Sequence, residues 1–366
     1  MRVMITGGGT GGHVFPGVAV AREVLKDAES QVLYVGKDSG PEEGWLKEQK
    51  IPFQGIKASG FPRRLSLRLV TFWFDLAAGF FRAMGLVASF RPQAVFSTGG
   101  YVSVPLSLAA LLRGVPVFLL EPNVEPGLAA KVIALFARRV FTGFEATLSR
   151  FPKERTRHTG IPVRQEILVA DRSAARVVFG LAPDVPTVLF FGGSQGATNL
   201  NQMAADALKF IGEGSQPLQA ILMTGRNDYQ AIADTLERCP LKVVMMQFIT
   251  NIHEAYAAAD LVVSRAGAMT CAELTARGIP SILVPYPYAG AHQEKNARAL
   301  EAAGAAEVRV EKDMDSGLLA EALLSILQDP VRLSAMRKAA LAAGRPDAAR
   351  AVVGAIRETV ERKNVA

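Results

Sequence analysis

The amino-terminal end of the chain places a glycine-rich loop between a short apolar strand and an apolar helix. Val3-Met4-Ile5 predicts the strand, residues 7–13 read Gly-Gly-Gly-Thr-Gly-Gly-His, and a helical pattern follows from Pro16. Glycines let backbone N–H groups approach a ligand closely, and the N-terminus of the following helix adds partial positive charge. The segment therefore predicts a ligand-binding loop at the carboxyl end of a strand, with His13 as a titratable group beside it.

The same arrangement starts again half-way along the chain, where the apolar residues 186–191 precede Gly192-Gly193-Ser194-Gln195-Gly196 and a helix from about Asn199. Strands alternate with helical patterns throughout, which predicts parallel sheets covered on both faces. We therefore expect an α/β fold of two Rossmann-like, doubly wound domains that face each other across a cleft. The domains are expected over residues 1–162 and 163–346, and the predicted strands are 31–35, 94–97, 116–120, 140–142, 220–223, 243–246, 261–264 and 281–285.

Composition excludes several protein classes. Apolar residues make up 49% of the 366 residues and charged residues 20%, as in globular proteins. Cys239 and Cys271 are far apart, so neither a disulfide framework nor a zinc site is expected. Met1-Arg2 leads straight into the first strand, which leaves no room for a signal peptide and favours the cytoplasm. Asp75 and Arg82 interrupt the most apolar stretch, so no transmembrane helix is predicted.

Positive charge is concentrated in the first half of the chain. Residues 1–164 carry 21 Lys and Arg against 12 Asp and Glu, whereas residues 165–366 carry 20 against 22. Basic residues such as Arg63 and Arg64 alternate with Phe72, Trp73 and other aromatic residues. Two interpretations stay open: an ordinary buried helix with a solvated basic face, or a patch that binds an anionic membrane surface with about 1 kcal/mol per basic residue. No nucleic-acid-binding motif accompanies this charge, so no nucleic-acid partner is expected.

Gly7-x-Gly9-x-x-Gly12 also fits the dinucleotide fingerprint, but that fingerprint needs an acidic residue at the end of the second strand. Here the second strand runs into Gly36-Lys37, and the first acid is Asp38, which disfavours an NAD enzyme. A Walker loop is excluded because His13 and Val14 stand where Lys and Ser or Thr are required.

Gly192-x-Ser194-x-Gly196 matches the nucleophile elbow of serine hydrolases, and Asp260 and His292 follow in hydrolase order. Asp260, however, precedes its strand, so it is expected at the opposite edge of the sheet from the elbow. The pair Asp313-Met314-Asp315 resembles a metal-binding Asp-x-Asp, but it stands directly before a helical pattern and is better explained as a helix N-cap.

Six segments taken together carry a family resemblance: residues 8–17, 99–103, 121–123, 160–164, 192–196 and 268–273. In this order they resemble the MurG family, the inverting GT-B glycosyltransferases of family 28. The resemblance implies transfer of GlcNAc from UDP-GlcNAc to the 4-hydroxyl of MurNAc in undecaprenyl-pyrophosphoryl-MurNAc-pentapeptide, during peptidoglycan synthesis at the cytoplasmic face of the plasma membrane. It implies no cofactor and no bound metal, leaves open stimulation by divalent cations, and allows cell-wall synthesis proteins as partners. It also implies that a final helix, about 347–363, packs back on the first domain.

The resemblance assigns roles to residues of both domains. His13 would be the general base, with Glu121 as the alternative, and Tyr101 would lie on the acceptor side. Glu273 would hold the ribose hydroxyls, Ser194 and the helix start would meet the diphosphate, and Ile249 and Arg164 would contact the uracil and nucleotide. Asn123 and Gln293 would read the GlcNAc hydroxyls. The remaining residues expected near UDP-GlcNAc are those of the first loop, which also lines the acceptor side, and of the helix start: Thr10, Gly11, Gly12, Ala268, Met269, Thr270, Cys271 and Ala272.

Three positions depart from the family pattern. Leu120 stands where a histidine is frequent and Pro122 where a glutamine is common, and both substitutions are expected to reshape the acceptor wall. Ala291 stands where an acidic residue is expected before His292-Gln293. The residues leave two further hypotheses: a related transferase that makes a glycolipid on a diacylglycerol acceptor, and a UDP-sugar-binding membrane scaffold without activity.

Overall fold

A computed structural model of the protein describes residues 1–61, 68–193, 197–214, 216–287 and 292–365. The chain divides into two compact units, one made of residues 1–164 and 345–366 and the other of residues 165–344. Each unit is a parallel sheet with helices on both faces.

The sheet of the first unit has the strand order β3-β2-β1-β4-β5-β6-β7, and all of its neighbouring strands are parallel. Side chains alternate between its faces, so that Met4 packs toward α3, α4 and α5 while Ile5 lies against α1. The elements are β1 (Arg2–Thr6), α1 (Gly11–Val24), β2 (Gln31–Lys37), α2 (Glu42–Glu48), β3 (Phe53–Ile56), α3 (Arg68–Phe90), β4 (Ala94–Ser97), α4 (Ser103–Leu112), β5 (Val117–Glu121), α5 (Leu128–Ala134), β6 (Arg139–Thr142) and β7 (Thr156–His158).

The second unit has the strand order β10-β9-β8-β11-β12-β13, again with parallel neighbours. Its central strands are buried on both faces, which explains their continuous apolar runs. The elements are α6 (Gln165–Val169), α7 (Arg172–Val178), β8 (Thr187–Phe191), α8 (Thr198–Glu213), β9 (Gln219–Met223), α9 (Tyr229–Leu236), β10 (Lys242–Met246), α10 (Ile252–Ala258), β11 (Leu261–Ser264), α11 (Ala268–Arg277), β12 (Ser281–Leu283), α12 (His292–Ala302), β13 (Ala306–Val308), α13 (Ser316–Leu327) and α14 (Pro330–Ala343).

The last helix, α15 (Ala348–Val365), returns to the first unit and packs against α1. Val352 and Ile356 are fully buried there. The first unit is therefore built from both ends of the chain.

The sequence predicted the central strands of both sheets but missed β3, β7 and β13. All three lie at the edge of a sheet and have only three or four residues. An edge strand is partly exposed, so it lacks the apolar run that identifies a central strand. The N-cap interpretation of Asp315 is confirmed, because its side chain accepts the Leu318 N–H at 2.8 Å at the start of α13.

Helix α3 differs from the expectation for the apolar stretch. It continues without a break through Asp75 and Arg82, and residues Leu69–Phe90 are long and apolar enough to cross a bilayer, by length and composition only. Asp75 and Arg82 thus interrupt the apolar run but not the helix, and a single helix of this kind is weak evidence for a membrane span. Core helices of globular proteins pass the same test, but only 17% of this helix's apolar window is buried.

Candidate active site

Three loops of the first unit meet at the carboxyl edge of its sheet. The register places Thr6 beside Ser97 and Ser97 beside Leu119, so the loops that follow β1, β4 and β5 start next to one another. These loops contain the glycine segment 7–12, the segment 98–102 and the segment 121–127. Ligands of doubly wound sheets bind at this edge.

His13 lies in the first turn of α1 and is held from the loop after β4. Its Nδ1 is 2.8 Å from the carbonyl oxygen of Thr98, and the Thr98 hydroxyl donates to the carbonyl oxygen of His13 at 2.6 Å. Because a carbonyl only accepts, Nδ1 carries the hydrogen and Nε2 is the acceptor of the ring. Burial lowers the pKa of His13, partly offset by the hydrogen bond to Thr98. The result is a fixed, neutral imidazole that can accept a proton at Nε2.

Gly99 and Gly100 form a wall against the imidazole ring. Their φ angles are +81° and +80°, a conformation that favours glycine. A Cβ atom at Gly99 would lie 3.7 Å from His13 Cε1, and one at Gly100 would lie 3.5 Å from His13 Cδ2. Tyr101 follows, and its hydroxyl approaches Gly9, whose φ is +86°. The predicted residues His13 and Tyr101 thus both lie beside the first glycine loop.

The N-terminus of α1 begins at Gly11, with Thr10 as its N-cap residue in an extended conformation. No side chain caps this end, and its first turn holds no acidic residue. The N–H groups of Gly11 and Gly12 therefore belong to the set that an α-helix cannot pair internally.

Glu121 ends β5 and organises the loop that follows. Its Oε1 accepts the backbone N–H of Asn123 at 2.8 Å and the Asn123 side-chain N–H at 3.3 Å, and its Oε2 accepts the Gly127 N–H at 3.0 Å. Burial raises the pKa of Glu121, and these hydrogen bonds oppose that shift. The carboxylate thus fixes both the loop and the side chain of Asn123.

Two of the three positions that depart from the family pattern, Leu120 and Pro122, are buried. Leu120 is fully buried in β5, and Pro122 is buried beside Gly143, where a Cβ would lie 2.6 Å from the Pro122 carbonyl oxygen. Ala291 lies outside the described residues. Leu120 therefore belongs to the core.

Arg164 is held beside α1. Its guanidinium stacks 4.4 Å from the centre of the Phe15 ring, and Phe15 in turn stacks on Trp45 at 5.4 Å. Such cation–π contacts fix the plane of an arginine side chain. This order supports a binding role better than a mobile surface arginine would.

The carboxyl edge of the second sheet gathers the other predicted residues. Helix α11 starts at Ala268 after Gly267, with no side-chain cap and no acidic residue in its first turn. Residues 268–270 therefore present unpaired N–H groups and the positive end of the helix dipole. Such a terminus favours a phosphate group.

Glu273 lies one turn further along α11 and is buried. The hydroxyl of the buried Tyr256 donates to its Oε2 at 3.0 Å. Ile249 is buried too, and its N–H donates to the Met223 sulfur at 3.4 Å. Gln293, in the first turn of α12, accepts the Tyr286 N–H at 2.9 Å and so holds the segment after β12.

The hydrolase hypothesis is not supported. Asp260 precedes β11, whereas the segment containing Ser194 follows the opposite end of the neighbouring β8. The carboxylate of Asp260 accepts hydrogen bonds from four groups: Arg172 at 2.7 Å, Arg176 at 2.8 Å, Arg337 at 2.8 Å and the Thr187 N–H at 2.9 Å. Ser194 itself lies outside the described residues.

Sequence reasoning missed several residues of these edges: Glu42, Thr98, Tyr256 and Asn296. Thr98 aligns His13, and Asn296, fully buried, donates to the Ala266 carbonyl oxygen at 3.3 Å beside the start of α11. Nothing local marks these residues. Only their neighbours in the fold reveal them.

Helix α3 presents aromatic side chains on the surface of the first unit. Trp73 is 58% exposed, Phe74 65% and Phe81 72%, while Phe72 is half-buried between Phe61 and Trp73. The Lys57 ammonium lies 5.8 Å from the centre of the Phe74 ring. Arg63 and Arg64 lie outside the described residues. Exposed apolar surface of this kind marks an interaction site.

Comparison with known proteins identifies the family. The N-terminal domain of glycosyltransferase family 28 matches residues 3–142, and its C-terminal domain matches residues 187–352. A protein of Desulforamulus reducens is 39% identical over 99% of this chain and 100% of its own length. One of Moorella thermoacetica is 41% identical with the same coverage. Both are named UDP-N-acetylglucosamine--N-acetylmuramyl-(pentapeptide) pyrophosphoryl-undecaprenol N-acetylglucosamine transferase.

This chain belongs to the MurG family. The crystal structure of MurG from Acinetobacter baumannii covers 98% of the chain and 99% of its own length, with a TM-score of 0.78 and 31% identity. The GT-B fold class and the family resemblance of the sequence are thereby confirmed. Members of the MurG family are glycosyltransferases, and this chain carries both domains of glycosyltransferase family 28.

Proposed function

We propose that this protein transfers GlcNAc from UDP-GlcNAc to the 4-hydroxyl of MurNAc in undecaprenyl-pyrophosphoryl-MurNAc-pentapeptide, with inversion at the anomeric carbon. The observation that carries this proposal is similarity along the whole chain to transferases whose names state this donor and acceptor. The reaction forms the bond between the MurNAc 4-oxygen and the anomeric carbon as the bond to the UDP oxygen breaks. The hydroxyl proton passes to a base.

The second unit is proposed to bind UDP-GlcNAc. Glu273 accepts the ribose hydroxyls, a role suited to a carboxylate whose orientation Tyr256 fixes. The N-terminus of α11 receives the diphosphate, and its dipole stabilises the charge that develops as UDP leaves. Ser194 belongs to the second glycine loop, which we assign to the same diphosphate. Ile249 of this unit is assigned to the nucleotide and Gln293 to the sugar. Arg164 and Asn123, which belong to the first unit, are assigned to the nucleotide and the sugar as well.

His13 is proposed as the general base. A neutral imidazole with Nδ1 held by Thr98 keeps its acceptor atom Nε2 in one direction, and a lowered pKa keeps it unprotonated at neutral pH. Glu121 is the weaker candidate, because three hydrogen bonds occupy its two oxygens. Its proposed part is to hold Asn123 in place. Tyr101 and the loop 10–12 line the side where the acceptor enters.

We further propose that the enzyme works at the cytoplasmic face of the plasma membrane as a peripheral protein, attached through α3. Exposed Trp73, Phe74 and Phe81 supply apolar area, and the excess of basic residues in the first half of the chain attracts anionic lipid. Contacts with other cell-wall synthesis proteins belong to the same proposal.

The deciding experiment offers radiolabelled UDP-GlcNAc and the lipid-linked MurNAc-pentapeptide to the purified protein. We expect label to enter the lipid phase, with at least tenfold preference over UDP-GalNAc and UDP-glucose. A His13→Ala variant should bind UDP normally yet lose most of its turnover. Lack of transfer by wild type that binds UDP would support a non-enzymatic scaffold, and transfer to diacylglycerol instead would support the glycolipid-forming alternative.

Attachment is tested separately by flotation with vesicles containing anionic lipid. Trp73→Ser and Phe81→Ser should reduce the bound fraction several-fold. Val331→Ser, at a residue of the second unit that is 79% exposed, is the matched control and should float like wild type. Equal flotation of all four proteins would contradict attachment through α3.

A further inference from the structure

Glu42, at the start of α2, is a carboxylate with no exposed surface. Its Oε1 accepts the backbone N–H of Lys37 at 2.7 Å, whereas its Oε2 has no hydrogen-bond partner among the described residues. Burying a carboxyl oxygen without a partner costs free energy, so such groups are few in folded proteins. Stability alone does not account for Glu42.

Three glycines enclose this carboxylate. A Cβ atom at Gly8 would lie 2.3 Å from Oε1, one at Gly40 would lie 2.5 Å from Oε2, and one at Gly36 would lie 2.9 Å from Cγ of Glu42. Real Cβ contacts are never this short, so a side chain at any of the three positions would displace the carboxylate. The chain therefore leaves space for a charged group directly under the first glycine loop.

Gly8 lies between Glu42 and Gly100, and the ring of His13 faces the same side of Gly100. Gly8 rests on Glu42 from one side, and its carbonyl oxygen lies 3.5 Å from the Cβ position of Gly100 on the other. That Cβ position of Gly100 is itself 3.5 Å from His13 Cδ2. The hydroxyl of Tyr34 donates to the Gly7 carbonyl oxygen at 3.0 Å and supports the loop beside this contact. Glu42 and Gly100 thus lie on either side of Gly8, and Glu42 leaves no room for a side chain there.

Glu42 also fixes the turn between β2 and α2. Its bond to the Lys37 N–H closes this turn, in which Ser39 has φ of +55°, a conformation unfavourable for a residue with a side chain. A strained turn closed by a buried carboxylate is a rigid support. The loop Gly7–Thr10 has no large side chain that could hold it in place, so it needs such a support.

We propose that Glu42 is a positioning residue for the transfer reaction. Glu42 holds the Gly7–Thr10 loop in place, and through Gly8 and Gly100 this loop keeps the imidazole of His13 in the geometry that the acceptor hydroxyl requires. This inference rests on the proposed function. Glu42 acts through the loop and touches neither substrate.

The test compares Glu42→Gln, Glu42→Asp and Glu43→Gln. Glutamine keeps the shape and the acceptor for Lys37 but replaces the carboxyl group by an amide. Aspartate keeps the carboxyl group but shortens the side chain, and Glu43 is the exposed neighbour on the same helix. We measure kcat, KM for each substrate and the Kd of UDP. Glu42→Gln should lower kcat at least tenfold, which equals about 1.4 kcal/mol in the barrier. Its KM for UDP-GlcNAc and its Kd for UDP should stay within twofold of wild type. Glu42→Asp should recover part of the loss, and Glu43→Gln should match wild type.

A second variant approaches the same contact from the loop. Gly8 does not adopt a left-handed conformation, so Gly8→Ala is opposed by the Glu42 carboxylate rather than by its own backbone. It should lower kcat like Glu42→Gln, with unchanged UDP affinity, even if the Glu42 variants fail to fold. Retention of kcat within twofold by Gly8→Ala, or by folded Glu42→Gln, would overturn the inference. A parallel loss of UDP affinity would overturn it too, because that pattern indicates general unfolding. Absence of transfer by wild type would instead refute the proposed function.

Discussion

Asp260 connects three arginines at the amino edge of the second sheet, and its removal should destabilise that unit strongly. The Asp260 side chain is 11% exposed. It pairs with Arg176, whose side chain is only 4% exposed, and accepts the Thr187 N–H. Asp260→Ala leaves Arg176 as a buried, unpaired charge, which costs about 3–5 kcal/mol. Arg172 and Arg337 contribute little, because their side chains are 42% and 43% exposed and water screens them to about 0–1 kcal/mol each.

Differential scanning calorimetry measures this difference. For a unit the size of residues 165–344, 1 kcal/mol corresponds to about 2–4 °C in Tm. Asp260→Ala should therefore lower the transition of the second unit by roughly 6–20 °C, and Arg337→Ala by no more than about 4 °C. The first unit should keep its own transition.

The double variant Asp260→Ala/Arg176→Met distinguishes the buried charge from lost packing. Since both partners are removed together, no unpaired charge remains, and much of the lost Tm should return. A double variant as unstable as Asp260→Ala would refute the assignment of the cost to Arg176. A single variant within about 2 °C of wild type would refute the electrostatic reasoning altogether.

Three further predictions concern titration, binding and reactivity. Burial lowers the pKa of His13, so its neutral form persists below the ordinary value of about 6.5. The acid limb of the pH profile of kcat/KM for the acceptor should therefore lie below about pH 6.5. The free energy of unfolding should also fall as the pH drops below about 6.5, because the unfolded chain then binds a proton that the folded protein does not. A wild-type limb above pH 7 would exclude His13 as the base. Tyr256→Phe removes the 3.0 Å hydrogen bond to Glu273, so titration calorimetry should show the Kd for UDP rising about tenfold. Glu273→Gln should raise this Kd further. Unchanged affinity in both variants would contradict the proposal that Glu273 binds the ribose hydroxyls. Burial raises the pKa of Cys271 to about 12, so mass spectrometry after iodoacetamide treatment should find Cys239 modified in the folded protein and Cys271 only after unfolding. Equal labelling of both thiols would contradict the burial of Cys271.

The sequence was sufficient for those parts of the fold that repeat a pattern. Central strands such as β8 are recognisable because both of their faces are buried, and the glycine loops because they follow such strands. Short edge strands such as β7 depend on their neighbours in the sheet, which no local pattern encodes.

The candidate site shows the same division. His13 stands out because it ends a glycine loop, whereas Glu42 is the first of two adjacent glutamates, of which one is buried and the other exposed. Which of them turns inward is decided by the position of Gly8, Gly36 and Gly40 around it. Motifs reveal groups that meet ligands, and only three-dimensional packing reveals the groups that support them.

The return of α15 to α1 has a consequence for the synthesis of the protein on the ribosome. The strands of the first unit are complete after residue 164, but the helix that covers α1 begins at residue 348. At about 5–20 residues per second, the face of α1 that α15 covers waits roughly 10–40 s for its partner. During that interval the amino-terminal unit has an uncovered apolar surface, while the second unit can fold as a continuous stretch. Chains that stop before residue 345 should therefore be recognised by chaperones and proteases as incomplete, although every residue proposed to act in the reaction has already been made.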